Sequence, residues 1–315
     1  MRIVSLLPST TEIVAALGKS DQLVGRSHEC DFPEGISDLP ACTEPKFNPD
    51  GTSYQIDQRV KALLQEGLSV YRVDQEKLEA LKPDIVITQD HCEVCAVSLD
   101  DVKEAVRSYV GDHVEVVSVS PTDLSSVVAS IRTIAEAIDA SDQAEMVMQS
   151  MKSDLQQIQQ KTAKLHHPDI LAIEWLDPFM AAGNWVPELI QLAGGRPLGA
   201  EAGKHSPWLE WESIRRWNPD IITIIPCGYD IEESLSELSN LTSQDGWQGL
   251  DAVRNNQVYV ADGNQYFNRP GPRLVDSTRI LAEIMHPGFF SKSNSDSSRW
   301  INLAKHQFHQ SIKKI

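Results

Sequence analysis

The sequence predicts an α/β fold of two Rossmann-like lobes, each with a mostly parallel sheet, joined by one long bridging helix. Three observations carry this. The segments "KLEALKPDIVIT" (77–88) and "SIRRWNPDIITI" (213–224) share one grammar, a helix ending at Pro-Asp and running straight into a β-branched strand. Proline ends each helix because its predecessor is excluded from the right-handed helical region. Val and Ile then suit a strand buried on both faces of a parallel sheet. Between the two halves lies apolar spacing of three and four residues, the period of an amphipathic helix.

Taken in order, "RIVSLLPSTTEIVAALG" reads as strand, loop and helix, with Ser9 and Glu12 as a capping box and Gly18 closing the helix. "VEVVSV" and "QVYVAD" read as later strands of the first and second halves. Residues 120–138 place Leu124, Val127, Ile131, Ile134 and Ile138 on one face, with Ser120, Pro121 and Asp123 as cap, first-turn proline and capping-box acid. After a break at 139–142, a second period runs through Val147, Met151, Leu155, Ile158 and Thr162. A helix of about 23 residues there spans about 35 Å and permits little hinge motion. The second half repeats the grammar from "DILAIEWLDPFMAAGNWVPELIQLAGG" onward. The expected domains are residues 1–119, a linking segment 120–168, a second lobe 169–287, and a Ser-rich tail 288–315 with room for a short helix.

The 315 residues carry a formal charge of −17, which repels nucleic acid and anionic lipid heads. No apolar run approaches the ~20 residues that span a bilayer. The N-terminal apolar run breaks at Pro8-Ser9 and contains Glu12, so it does not read as a signal peptide. A cytoplasmic monomer is the expectation, with its five cysteines reduced.

In open α/β sheets ligands bind beyond the carboxyl ends of the strands. The segments there are 7–9, 25–31 and 89–95 in the first half, and 174–185, 205–211, 226–230 and 262–273 in the second. They hold Trp175, Trp185, Trp208 and Trp211, with Tyr229, Tyr266 and Phe267, in a chain only 6% aromatic. Indoles gathered at strand ends suit a broad, flat, partly apolar ligand; Trp211 equally fits loop-to-helix packing. "HEC" (28–30) and "HCEVC" (91–95) add His28, Cys30, His91, Cys92 and Cys95. These five fit a transition-metal site of nitrogen and sulfur ligands, a redox pair, or the lining of a ligand cleft. The redox reading is weakened because the next helix starts only at Ser98, leaving no helix N-terminus to lower the thiol pKa. Phosphate loops, nucleophile elbows and His-Glu-x-x-His helices are absent. Glu174 and Asp177 flank a strand end, where solvated carboxylates are common. Catalysis is not indicated.

The stretches "SLLPSTTEIVAALG", "LVGRSHECDFP", "KLEALKPDIVI", "DPFMAAGN", "PWLEWESIRRWNPDIITI" and "FNRPGPRLVDSTRILAEI", in this order, resemble the substrate-binding proteins of ABC importers for vitamin B12, siderophores and haem. The resemblance runs from Arg2 to Pro287 and is nearest the vitamin B12-binding branch. It implies a corrinoid or related metal chelate held between the lobes without catalysis. By position it assigns ligand contact to Ser9, His28, Cys30, Cys92, Trp175, Trp208, Tyr266, Phe267 and Arg269. It also implies an ABC permease partner, with Glu76 and Glu212 as docking carboxylates. Two departures stand out: no signal peptide or lipoprotein cysteine is seen, and thiols sit where the family pattern has none. The alternatives are therefore a cytosolic metal-binding or metal-sensing protein using the Cys/His set, or a thiol redox protein.

Overall fold

The computed structural model describes residues 1–65, 70–90, 98–111, 113–290 and 299–306. The chain divides into two compact units, residues 1–51 with 55–151, and residues 52–54 with 152–315.

The first unit is built on four parallel strands in the order β2-β1-β5-β6, with β1 Ile3–Ser5, β2 Leu23–Arg26, β5 Ile85–Gln89 and β6 Glu115–Val119. β3 Thr43–Pro45 and β4 Tyr71–Val73 form a separate antiparallel pair. β1 is buried along its whole length, as is β5. The apolar N-terminus is thus an inner strand of the sheet. Val4, Leu6, Leu78, Val86, Val102 and Val106 make the core on one side of it.

The second unit has a six-stranded sheet, order β12-β11-β10-β7-β8 with β9 also on β7. Its strands are β7 Asp169–Leu176, β8 Phe179–Ala181, β9 Arg196–Pro197, β10 Ile221–Ile224, β11 Val258–Ala261 and β12 Trp300–Asn302. β7, β10 and β11 run parallel, while β8 and β12 are antiparallel additions. Leu171, Ile173, Ile222, Ile224, Val258 and Val260 fill the core. The helix Ser141–Thr162, 22 residues long, starts in the first unit and ends in the second.

The sequence repeat is repeated in its atoms. The helices Gln75–Leu81 and Trp211–Trp217 both end in a left-handed residue, Lys82 (φ 46°) and Asn218 (φ 46°). The pre-proline restriction excludes the right-handed helix, and here the chain answers with the left-handed region instead of an extended one. In each half the next aspartate then clasps the start of the unit's first strand. Asp84 Oδ2 accepts from Arg2 N–H at 2.7 Å, and Asp220 Oδ2 accepts from Asp169 N–H at 2.8 Å.

Two predicted caps are corrected. Leu7, with no side-chain cap, precedes the helix Pro8–Ala16; Pro8 occupies its first turn, while Ser9 and Glu12 are buried inside it. Proline needs no cap for an N–H it lacks. Gly18, at φ 71°, follows that helix as expected. In the linking helix Leu124–Ala137, Asp123 is the cap and forms a reciprocal box with Ser126, whereas Ser120 donates to the Asp90 carbonyl outside the helix. Ser98 does cap the helix Leu99–Ala105, accepting from Asp101 N–H at 3.1 Å.

The tail holds an element that its composition conceals. After the Ser-rich run, β12 pairs antiparallel with β11, and Arg299 and Trp300 both reach Glu283 on the helix Leu274–Met285.

Candidate functional site

At the carboxyl end of β1, three hydroxyls and a thiol are linked. Ser5 and Thr10 oxygens lie 2.6 Å apart, Thr11 donates to Ser5 at 2.8 Å, and Thr11 Oγ1 lies 3.1 Å from Cys30 Sγ. Ser9 and Cys30, expected as ligand contacts, are both buried in this structure, and Cys30 is a thiol held in a hydroxyl network.

His28 is half-buried and differently placed. Its Nδ1 lies 2.8 Å from Thr43 Oγ1, and Thr43 in turn donates to Ser27 at 3.0 Å. Burial lowers the His28 pKa below 6.5, the positive charge of Arg26 adds to this, and Glu44 opposes it. The imidazole is therefore mostly neutral at pH 7, the form that ligates metals. Its ring packs at 5.1 Å from that of Tyr71, whose hydroxyl donates to Glu29 at 2.9 Å. Thr43 and Tyr71 come from β3 and β4, and neither is marked by any local motif.

The other members of the predicted Cys/His set, His91, Cys92 and Cys95, lie outside the described residues. Among the described residues no group of three His, Cys, Asp or Glu is arranged to hold a metal. Cys42 lies within the first unit's core, where burial pushes its thiol up to about 11.

In the second unit the strand ends converge. Trp175 and Tyr229 meet edge to face at 5.5 Å, and the Trp175 indole N–H donates to the Asp177 carbonyl. Burial, then the charges of Glu237 and Glu233, push the Tyr229 hydroxyl up to about 12. Asn264 N–H donates to the Tyr229 carbonyl at 3.1 Å, tying the loop after β11 to the loop after β10. Residues 207–209 lie along β8: Ala181 N–H donates to Pro207 and Leu209 N–H to Phe179, opposing Met180 and Trp208. Trp208 is thereby held at 53% exposure.

Three of the expected ligand contacts are buried in this structure. Trp185 is buried and its indole N–H donates to the Phe267 carbonyl at 2.9 Å. Phe267 is fully enclosed, and Arg269 is buried with a bond to Asn264 Oδ1 at 2.9 Å. Tyr266 remains partly open, its ring under the Arg273 guanidinium at 4.8 Å. Trp211 packs with Phe179 and Trp247, the structural use that its position allowed.

Glu76 and Glu212 are exposed, each the second residue of its helix, so they occupy equivalent places in the repeat. Glu212 pairs with Arg215 at 2.9 Å on the surface.

Comparison with known proteins bears on this arrangement. The sequence profile of a family described as periplasmic binding protein matches residues 3–264. An uncharacterized ABC transporter substrate-binding lipoprotein, YvrC of Bacillus subtilis, is 26% identical over 300 residues, covering 92% of this chain and 82% of the relative. Among solved structures, the periplasmic haem-binding protein HutB of Vibrio cholerae superposes with a TM-score of 0.68 at 19% identity, covering 91% of this chain and 99% of that one. The periplasmic vitamin B12-binding protein BtuF of Vibrio cholerae gives 0.64 at 19% identity, with 90% and 96% covered. At such identities these structures speak for the fold alone. A cytoplasmic location is not borne out, since these relatives are a lipoprotein and periplasmic proteins. No helix among the described residues is long and apolar enough to cross a membrane.

Proposed function

Because the chain belongs to the periplasmic binding protein family, whose profile spans residues 3–264, we propose that it is the non-enzymatic substrate-binding component of an ABC importer and that its ligand is a corrinoid or a closely related metal chelate. The observation that carries this reading is the aromatic surface at the strand ends of the second unit. Trp175 and Tyr229 are paired edge to face and Trp208 stands half out of the protein, so a broad apolar ring has faces to cover. A haem also has a flat ring, and the HutB likeness keeps it as a second reading.

Titrating the purified protein with cyanocobalamin, hydroxocobalamin and haemin while following Trp fluorescence tests the reading. Saturable quenching by a corrinoid at about one equivalent is the expected result, with Trp208→Ala weakening binding roughly tenfold or more. Saturation by haemin alone would replace the corrin with a porphyrin, and no response to any of the three would remove the chelate reading.

The permease partner follows from the same role. Glu76 and Glu212 are its docking carboxylates in this proposal, at matching places in the two halves, and the exposed ion pair of Glu212 with Arg215 is too weak to withhold it. The double variant Glu76→Arg/Glu212→Arg is expected to abolish capture of the protein by its detergent-solubilised permease with ligand affinity unchanged. Undiminished capture would reduce both residues to ordinary surface charge.

A further inference from the structure

His286 lies where three helices end. It follows the helix Leu274–Met285 as its cap and is 6% exposed. Its Nε2 lies 3.1 Å from the carbonyl of Ala193, the cap of the helix Val186–Leu192. A carbonyl only accepts, so Nε2 carries the hydrogen and donates it. The third end is that of the helix Ser141–Thr162, where buried Thr162 Oγ1 lies 3.3 Å from the Leu192 carbonyl. Gly194, at φ 86°, lets these ends close together. A Cβ there would fall 2.6 Å from Thr162 Cβ and 2.9 Å from His286 Nε2.

The two helices that His286 ties at one end both begin at the candidate site. Trp185, bonded to the Phe267 carbonyl, immediately precedes Val186. Arg273, over the Tyr266 ring, immediately precedes Leu274. The imidazole therefore links the far ends of the helices that follow two strand-end loops.

The surroundings of the ring decide how it responds to protons. Burial, the largest effect, holds the His286 pKa below 6.5; the Ala193 and Gly194 backbone opposes this, while His167 and His166 add to it. His167, half-buried, and His166, exposed, lie on the connection after Thr162, and positive charge on either opposes charge on His286. Lys161, in the last turn of the helix before them, sits 5.7 Å over the ring of Phe290, whose N–H donates to the His286 carbonyl. On the helix that His286 caps, Glu283 is engaged by Arg299 and Trp300.

We propose that His286 is an acid-sensitive pin: neutral, it fastens the far ends of these two helices, and its protonation releases them. A second N–H appears on Nδ1 in the charged form, and a buried cation has to reach water. An unfolded histidine takes its proton at about 6.5, so the pin holds in full above that value. Its contribution is lost as the pH falls below it, because the released state then binds the proton more tightly than the closed one.

NMR of the ligand-free full chain between about pH 8 and 5 tests this. The His286 Cε1–H resonance is expected to titrate below the ordinary histidine value. Amide protection at Gly194 and Gly195, which donate to Gln191 and Ile190, is expected to fall at least about tenfold over that range after correction for intrinsic exchange. His286→Gln keeps an N–H for the Ala193 carbonyl and takes up no proton, so its protection should change less than about twofold. A His286 titration at or above about 6.5, wild-type protection independent of pH, or His286→Gln losing protection as wild type does overturns the pin. Should the Gln variant not fold, His166→Asn/His167→Asn carries the test, since it removes the opposing charges and leaves the pin in place. It should move the His286 titration upward and the loss of protection with it. Loss of protection that stays where it was while the titration moves overturns the pin.

Discussion

Glu283→Ala is expected to destabilise the second unit by about 3–5 kcal/mol, the range for leaving a buried charge without its partner. Glu283 lies on the helix Leu274–Met285 with its side chain 3% exposed, and Arg299, 7% exposed, donates to it at 3.1 Å. The Trp300 indole N–H donates to the second carboxylate oxygen at 2.9 Å. Without the carboxylate, a guanidinium stays buried and the indole loses its acceptor. The tail strand β12 would then leave β11, exposing a row of unpaired backbone groups on that edge. The ion pair itself need not be stabilising overall, because desolvation offsets the attraction. The double variant Glu283→Leu/Arg299→Met should therefore regain most of what the single variant loses. Urea unfolding of both variants checks this. A single variant within about 1 kcal/mol of wild type would show that the tail is not latched through Glu283.

Gly263→Ala is expected to cost about 2–3 kcal/mol and to abolish ligand binding, as overpacking against immobile atoms does. A Cβ there would lie 2.1 Å from Pro226 O and 2.7 Å from Ile225 C, both backbone atoms at the end of β10. Neither can rotate away, so the two strand-end loops must separate. That would break the Asn264-to-Tyr229 backbone bond and move Tyr229 off Trp175. Gly249→Ala is the control, since its Cβ would meet nothing within 4 Å. It should unfold within about 0.5 kcal/mol of wild type. Denaturation and the fluorescence titration together read the result, and a Gly263→Ala protein that binds and unfolds like wild type would contradict the close approach.

The two halves were legible because their signals are local. A helix ending at Pro-Asp before a β-branched run announces itself at positions 77–88 and again at 213–224, and the apolar period of 124–138 needs no distant partner to be seen. The caps were less legible. At both helix starts a proline and several oxygen-bearing residues compete for the position, and the choice was made by where the preceding strand ends. The Ser-rich run concealed β12, because three residues at a sheet edge carry little periodicity of their own.

The candidate site divides in the same way. Strand-end position brought Trp175, Trp208, Tyr229, Tyr266 and His28 to notice, and these are the ones left half-buried or exposed. The same rule also collected Ser9, Cys30, Trp185, Phe267 and Arg269, because a loop after a strand holds both its packing residues and its surface. Glu174 was noticed only as a solvated carboxylate; Ser206, Thr43 and Tyr71 gave no signal.

The sequence by itself determined the helix-and-strand grammar of the two halves, their repeat, their mostly parallel sheets and the family resemblance, since propensity, turn chemistry and period act over a few neighbouring residues. Only the tertiary structure decided which strand-end side chains are open and which groups His28, Glu174 and Trp185 meet. Those depend on contacts between residues 15, 32 or 82 positions apart, such as His28 with Thr43, Glu174 with Ser206 and Trp185 with Phe267, and only the folded chain brings such residues together.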